Sequence, residues 1–277
     1  MKEFHIINVG ASIITNYQKQ EKIPLEIKNA KLSDNEFWKK ILDNSKITKD
    51  IYQFIKSDPL KNSAELNAFL KKIENSKSYI ELYFIGTKTP VNEICVRTLE
   101  RYMKELGFSI YTSKEFPGYF LKMFEGEDRK KEFVKGISDM LDHLIRLAQK
   151  KKEEGYKVFF NSTGGFKAHV IVCALAGFIT HSEVYYLNEE FQDIINFPPL
   201  LYIPKGKEIE LLNILSDEKP RLVEEIEILL NDFAEEIQRL EFYGLIEVEC
   251  NEYDQTYKVK IKKIGKLILN EITKNKD

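Results

Sequence analysis

Apolar runs that are too short for helices recur along about the first 200 residues of the chain and predict strands. The predicted strands cover 3–9, 79–85, 108–111, 157–160 and 184–187. Between them, apolar residues recur at helical spacing. They predict two or three helices over 34–76 and single helices over 91–106, 130–154 and 168–180. Strands that alternate with helices indicate an α/β fold with a doubly wound, mainly parallel sheet.

Proline and glycine residues between 196 and 207 interrupt this pattern and predict a domain boundary near 205. Beyond the boundary, helical spacing is followed by two apolar runs that are separated by a polar turn. The predicted helices cover 208–215, 221–230 and 232–243, and the apolar runs cover 245–250 and 256–261. Three helices followed by a two-stranded wing are typical of a winged helix-turn-helix domain, which we expect at 206–277.

One polar turn carries the clearest chemical signal in the sequence. It reads Asn161-Ser162-Thr163-Gly164-Gly165-Phe166-Lys167 and joins the predicted strand at 157–160 to the helix that follows. Paired glycines let backbone N–H groups approach an anion, a helix start offers unpaired donors, and a lysine adds a full charge. The string matches neither G-x-x-x-x-G-K-[ST] nor G-x-G-x-x-G. It is therefore either an unusual phosphate-binding turn or a tight turn with a solvated lysine.

Three polar turns follow predicted strands, and all three should lie at the same edge of the sheet. They are Gly10-Ala11-Ser12, Gly86-Thr87-Lys88 and the 161–167 string. Since ligands of doubly wound sheets bind outside the carboxyl ends of the strands, we expect the three turns to converge on one site. The candidate ligand-binding residues are Gly10, Ala11, Thr87, Lys88, Asn161, Ser162, Thr163, Gly164, Gly165 and Phe166. Residues 113–128 lack a clear period, and we expect them to form a mobile lid.

Composition and charge restrict the class of protein. The chain has 277 residues, of which 43% are hydrophobic and 31% are charged, as in a globular protein. Its net charge of −2 argues against a general nucleic-acid coat. The cysteines form no C-x-x-C pair, so we expect neither disulfides nor a zinc site, and a reducing cytoplasm as the setting. We expect no membrane association, because no apolar stretch is long enough for a membrane helix and no secretion signal opens the chain.

The 161–167 string, together with a first strand that ends in Asn8-Val9-Gly10-Ala11-Ser12, resembles the CRISPR-associated Rossmann-fold (CARF) family, whose members sense cyclic oligoadenylates. The resemblance covers about residues 1–205. It is strongest to the stand-alone ring nucleases, which join a CARF domain to a small C-terminal winged-helix domain. It implies a Rossmann-like CARF domain at 1–205, a part in antiviral defence, and cyclic tetra-adenylate as the ligand, with hexa-adenylate as the alternative.

The resemblance also implies a catalytic pair. The serine and lysine that are implicated in cleavage by the ring nucleases match Ser12 and Lys167, and the alternative for Ser12 is a helix N-cap. In the implied reaction a ribose 2′-OH attacks the adjacent phosphorus, which yields linear di-adenylate with a 2′,3′-cyclic phosphate and switches off type III CRISPR signalling. The protein must hold that geometry and stabilise phosphoryl charge, so the reaction requires no metal and no cofactor. We expect a homodimer with the symmetric ring on its two-fold axis.

A second hypothesis is a non-cleaving sensor that acts as a CARF/winged-helix transcription regulator. Residues 207–277 contain 11 Lys or Arg and 17 Asp or Glu, a net charge of −6, so we do not expect DNA binding. The sequence also lacks an Arg followed five to seven residues later by His, the pattern of the HEPN ribonuclease domains attached to many CARF effectors. Both observations favour the enzyme.

The histidines are the obvious general-acid candidates, and each has a structural alternative. They are His5, His143, His169 and His181. His5 lies in a predicted strand, and His143 and His169 lie in predicted helices. We expect these three side chains to be packed or solvated rather than catalytic.

Overall fold

A computed structural model describes residues 1–112, 114–116, 127–188, 190, 192–197, 202–217, 219–229, 233–251 and 256–274. The chain divides into two units, Met1–Asn196 and Phe197–Asp277. The first is built on a mainly parallel sheet with many helices, and the second on a small antiparallel sheet with helices. Within the described helices, none combines the length and the apolar character that crossing a membrane requires.

The parallel sheet contains all five strands that the apolar runs predict. Its strands are β1 (Lys2–Asn8), β2 (Tyr79–Thr87), β3 (Ser109–Ile110), β4 (Lys114–Phe116), β5 (Lys157–Asn161), β6 (Glu183–Asn188) and β7 (Asp193–Phe197). The order is β3-β2-β1-β5-β6-β7, and β4 also pairs with β2. β1 lies parallel to both β2 and β5, which confirms that the strands predicted at 3–9 and 157–160 are adjacent and parallel. β4 and β7 were not predicted.

Helices connect these strands. They are α1 (Ser12–Tyr17), α2 (Leu25–Asn29), α3 (Asn35–Leu42), α4 (Ser45–Ser57), α5 (Pro59–Asn62), α6 (Ala64–Lys72), α7 (Pro90–Glu105), α8 (Glu127–Glu153) and α9 (Lys167–Ile179). The expectation of two or three helices over 34–76 is wrong, since α3 to α6 are four. Asn44, Asp58 and Ser63 each accept a hydrogen bond from a backbone N–H of the next helix, and each such cap begins a new helix.

Both faces of the sheet are buried, as the alternation along β2 shows. Leu82 and Phe84 pack into one apolar cluster with residues of α1 and α7. Tyr83 and Ile85 point the other way and pack with residues of α8 and α9. Burial on both faces is the usual state of a parallel sheet, because the connecting helices cover it.

The strand order brings two distant turns together. From β1 the chain moves outward to β2 and β3, and it later returns to β5 on the other side of β1. The turns that follow β1 and β5 are therefore neighbours at the carboxyl edge of the sheet, where ligands bind in folds of this kind.

The second unit contains a three-stranded antiparallel sheet and helices. The strands are β8 (Arg221–Leu222), β9 (Ile246–Asn251) and β10 (Thr256–Ile261), in the order β8-β10-β9. The helices are α10 (Lys207–Ile214), α11 (Val223–Leu229), α12 (Ala234–Phe242) and α13 (Lys263–Lys274). The three predicted helices and two predicted strands are present. β8 and α13 are additional, and α11 begins after the predicted residue 221 because Arg221–Leu222 pairs with β10.

The segment predicted as a lid, 113–128, is described only in part. Residues 114–116 form β4, which pairs with β2, and residues 127–128 open α8. Residues 113 and 117–126 lie outside the described part of the chain, so the lid stays a prediction.

Candidate functional site

A recess of about 200 Å³ lies at the carboxyl edge of the sheet, and the three predicted turns contribute to it. Five residues of its lining are predicted ligand contacts, namely Gly10, Ala11, Thr87, Gly165 and Phe166. Four others were not predicted, namely Leu32, Thr89, Val91 and Asn92. The other predicted site residues are not part of this lining, namely Ser12, Lys88, Asn161, Ser162, Thr163, Gly164 and Lys167.

The backbones of the turns after β1 and β5 are in contact at two glycines, Gly10 and Gly165. A Cβ on Gly10 would lie 2.5 Å from the backbone nitrogen of Gly165, and one on Gly165 would lie 2.4 Å from Nδ2 of Asn8. Gly165 also has a φ of +102°, which side chains disfavour. Only glycine lets the two backbones approach so closely.

Several polar residues of the 161–167 string hold the turn itself. The Asn161 side chain donates to the Glu65 carbonyl (3.2 Å) and accepts from the Thr163 N–H (3.1 Å). The Thr163 hydroxyl accepts from the Leu187 N–H (3.0 Å). Ser162 is buried, and its N–H donates to the Tyr185 carbonyl. The side chains of Asn161 and Thr163 and the backbone of Ser162 therefore fix the turn against its neighbours.

The start of α9 has unsatisfied donors and an exposed cation. Its N-cap, Phe166, offers no side-chain acceptor, and its first turn contains no acidic residue. Across the described part of the chain, no acceptor takes the N–H groups of Lys167, Ala168 or His169. Lys167 is exposed, and no described carboxylate pairs with it. Unpaired donors, a positive helix end and a lysine together suit an anion.

Ser12 is not a helix N-cap, so that interpretation is wrong. The N-cap of α1 is Ala11, and Ser12 is the first helical residue. The Ser12 hydroxyl instead donates to Oε2 of Glu65 (2.5 Å) and accepts from the Ala64 N–H (3.3 Å). Ser12 thus belongs to a contact between α1 and α6.

Glu65 is the site residue that sequence reasoning missed. It is 1% exposed, and its Oε1 accepts from the Gly10 N–H (2.8 Å) while Oε2 also accepts from the Ser63 hydroxyl (2.8 Å). It packs so closely under Gly164 that a Cβ there would lie 2.2 Å from Oε1. In the sequence, Ser63-Ala64-Glu65 indicates only a capped helix start, because nothing local shows that the carboxylate turns inward.

The described histidine contacts place these residues in packing roles. Burial lowers the pKa of His5, and its ring bridges Tyr185 and Glu3, whose pKa the His5 hydrogen bond lowers to about 2. His143 hydrogen-bonds the Tyr83 hydroxyl (2.8 Å). Burial lowers the pKa of His169 to about 4, so this side chain is neutral at pH 7.

Residues 60–200 match the model of a family described as "CRISPR-associated protein (Cas_APE2256)". The match covers half of the 277-residue chain. The chain belongs to this CRISPR-associated family. The matched residues include Glu65 and the whole 161–167 string, whereas the turn of Gly10 and Ser12 lies before them.

Among solved structures, the chain is similar to the crystal structure of protein VC1899 from Vibrio cholerae. The two share 11% sequence identity with a TM-score of 0.36. The similarity covers 74% of this chain, and the chain spans 61% of the length of VC1899.

Proposed function

We propose that the protein is a ring nuclease that binds cyclic tetra-adenylate and cleaves it, and that residues 1–205 form a Rossmann-like CARF domain. The start of α9 carries the proposal. Lys167 follows directly after Gly165 and Phe166, which line the recess, and the N–H groups of Lys167, Ala168 and His169 lack acceptors across the described residues. A ring phosphate supplies both the missing acceptor and a negative charge. Membership of a CRISPR-associated family supports a part in type III CRISPR signalling and antiviral defence.

The size of the recess supports a homodimer. At about 200 Å³ it is smaller than the roughly 300–1,000 Å³ of pockets that enclose drug-sized ligands. A ring of four nucleotides exceeds this space, so one chain holds only part of it. In a two-fold dimer, two copies of the 161–167 turn grip opposite phosphates of the symmetric ring.

The proposed cleavage uses the nucleophile that the ring carries. A ribose 2′-oxygen forms a bond to the adjacent phosphorus, and the bond from phosphorus to the 5′-oxygen breaks. Two such cleavages give linear di-adenylate that ends in a 2′,3′-cyclic phosphate. Lys167 stabilises the charge that develops on the phosphoryl oxygens, and the N–H groups of Gly164 and Gly165 assist. Ser12 orients the reacting groups, and this step requires no metal.

The second unit supports a second candidate, a non-cleaving sensor that regulates transcription. We propose that residues 206–277 form a winged helix, with β9 and β10 as the wing. The unit is acidic overall, but β10 and the start of α13 carry a row of lysines, namely Lys258, Lys260, Lys262, Lys263 and Lys266. This local positive charge favours contact with a polyanion such as DNA. It is the observation that supports the transcription regulator as a second candidate.

Product analysis tests the proposal. The protein is incubated with cyclic tri-, tetra-, penta- and hexa-adenylate in EDTA, and the products are separated by chromatography. We expect cyclic tetra-adenylate to give linear di-adenylate with a 2′,3′-cyclic phosphate. A ring that stays intact while it binds tightly supports the sensor instead. Rings that neither bind nor react contradict both functions.

A further inference from the structure

The Ser12 hydroxyl contacts the same buried carboxylate that accepts a hydrogen bond from Gly10, a lining residue of the recess. It donates its proton to Oε2 of Glu65 (2.5 Å) and accepts from the Ala64 N–H (3.3 Å). A hydroxyl has one proton and two acceptor positions, so one acceptor position of Ser12 remains. Ser12 is half-buried, so its side chain is partly accessible to solvent.

Glu65 is held in place by neutral donors. The Gly10 N–H and the hydroxyls of Ser12 and Ser63 donate to its two oxygens. Within the described residues, no lysine or arginine forms a salt bridge with it, although it is 1% exposed. Its negative charge is therefore not neutralised by a cation, and the Ser12 hydroxyl already points its proton at it.

We propose that Glu65, acting through Ser12, receives the proton that the attacking 2′-OH releases. The inference rests on the proposed ring cleavage. The 2′-O–H bond breaks and its proton moves to Ser12 Oγ, while the original Ser12 proton moves to Glu65 Oε2. The 2′-oxygen bonds to phosphorus, and the departing 5′-oxygen takes a proton from water. Glu65 then returns its proton to the hydroxide so formed, which restores the carboxylate.

In this relay Ser12 touches the substrate and Glu65 is a positioning residue. A purely structural role for Glu65 is the competing interpretation, because the carboxylate also fixes the Gly10 N–H and packs against Gly164. The two interpretations predict different cleavage rates for a glutamine at position 65. Glutamine has the same shape, its oxygen can accept from Gly10, and its NH₂ can donate to both serine hydroxyls, but it accepts no proton at physiological pH.

The test compares Glu65→Gln with the wild type on cyclic tetra-adenylate under single-turnover conditions. We expect the cleavage rate to fall by about 10²–10⁴-fold, the usual contribution of general base catalysis, with ring affinity and melting temperature close to the wild type. Ser63→Ala is the matched control. It removes another hydrogen bond to the same carboxylate oxygen and the cap of α6, so the melting temperature should fall, but Ser63 is not on the proton path and its rate should fall far less than that of Glu65→Gln.

A double variant separates the relay from independent effects. Because Ser12 and Glu65 act as one unit, Ser12→Ala combined with Glu65→Gln should be no slower than the slower single variant. The relay is overturned if the wild type cleaves and Glu65→Gln cleaves within threefold of it. It is also overturned if Glu65→Gln loses affinity and rate in parallel. A wild type that does not cleave overturns the proposed function, and the relay with it.

Discussion

At the scale of single residues, Lys167 carries its positive charge at the N-terminus of α9, which is also the positive end of the helix dipole. A cation at that end typically costs about 0.3–1 kcal/mol, and no acidic residue in the first turn offsets it. Departures from local stability rules of this kind concentrate at functional sites. A bound anion would turn the same charge from a cost into a favourable interaction.

Lys167→Ala should therefore impair function without impairing stability. We expect single-turnover cleavage of cyclic tetra-adenylate to slow by about 10²–10³-fold, the usual effect of losing one preorganised donor to the transition state. The melting temperature should be unchanged or slightly raised. Lys207→Ala is the matched control, because Lys207 also begins a helix whose N-cap lacks a side-chain hydrogen bond. Equal rates for Lys167→Ala and the wild type would place the catalytic cation elsewhere, with Lys88 the next residue to test.

At the scale of secondary-structure elements, the apolar pattern located the strands of the sheet better than it located the short helices. The strands at 3–9 and 157–160 could be located because a parallel strand buried on both faces is rich in apolar residues on both. The helices α5 and α6 were not separated, because their boundary depends on the cap at Ser63 rather than on apolar spacing. α13 was missed because the winged-helix pattern was taken to end at the wing.

The site was predictable where it depends on strand ends and not where it depends on packing. The turns at Gly10 and Gly165 were placed from their strands alone. Glu65, Leu32 and Asn92 reach the site only because the helical region after β1 and the helix α7 fold back over the sheet edge. Apolar spacing along the sequence does not show that these helices fold back over the sheet edge. Glu65 was missed for the further reason that a glutamate near a helix start is usually solvated.

The buried face of α9 should make stability depend on pH through His169. Burial lowers the pKa of His169 to about 4 in the folded protein, whereas an unfolded histidine titrates near 6.5. The unfolded state therefore binds the proton first, and stability is lost as pH falls from about 6.5 toward 4. This residue alone should reduce the free energy of unfolding by about 2 kcal/mol between pH 7 and pH 5.

Urea unfolding of the wild type and of His169→Phe at both pH values checks this. Phenylalanine keeps an aromatic ring but cannot be protonated, so the variant should lose about 2 kcal/mol less on acidification. Burial lowers the pKa of His5 too, and that contribution persists in both proteins. Identical losses in both proteins would mean that His169 titrates normally. Ring cleavage by the variant at pH 7 should stay within a few-fold of the wild type.

At the scale of the whole molecule, the proposed two-fold arrangement can be measured directly. Size-exclusion chromatography with light scattering should give about twice the 32.5 kDa of one chain, with and without cyclic tetra-adenylate. Calorimetry with Lys167→Ala, which should bind but cleave slowly, should give one ring per two chains. A monomer under both conditions contradicts the arrangement. One ring per chain would mean that each chain holds a ring independently.

The central place of β1 has a consequence for synthesis of the protein. β1 is translated long before its partner β5, and Asn8 and Gly164, which hydrogen-bond across the two turns, are 156 positions apart. Until β5 arrives, the nascent chain carries an apolar strand with an unpaired edge, which can pair with other chains. A product released early would lack the 161–167 turn. The recess that the two turns line is therefore assembled only near the completion of the first unit.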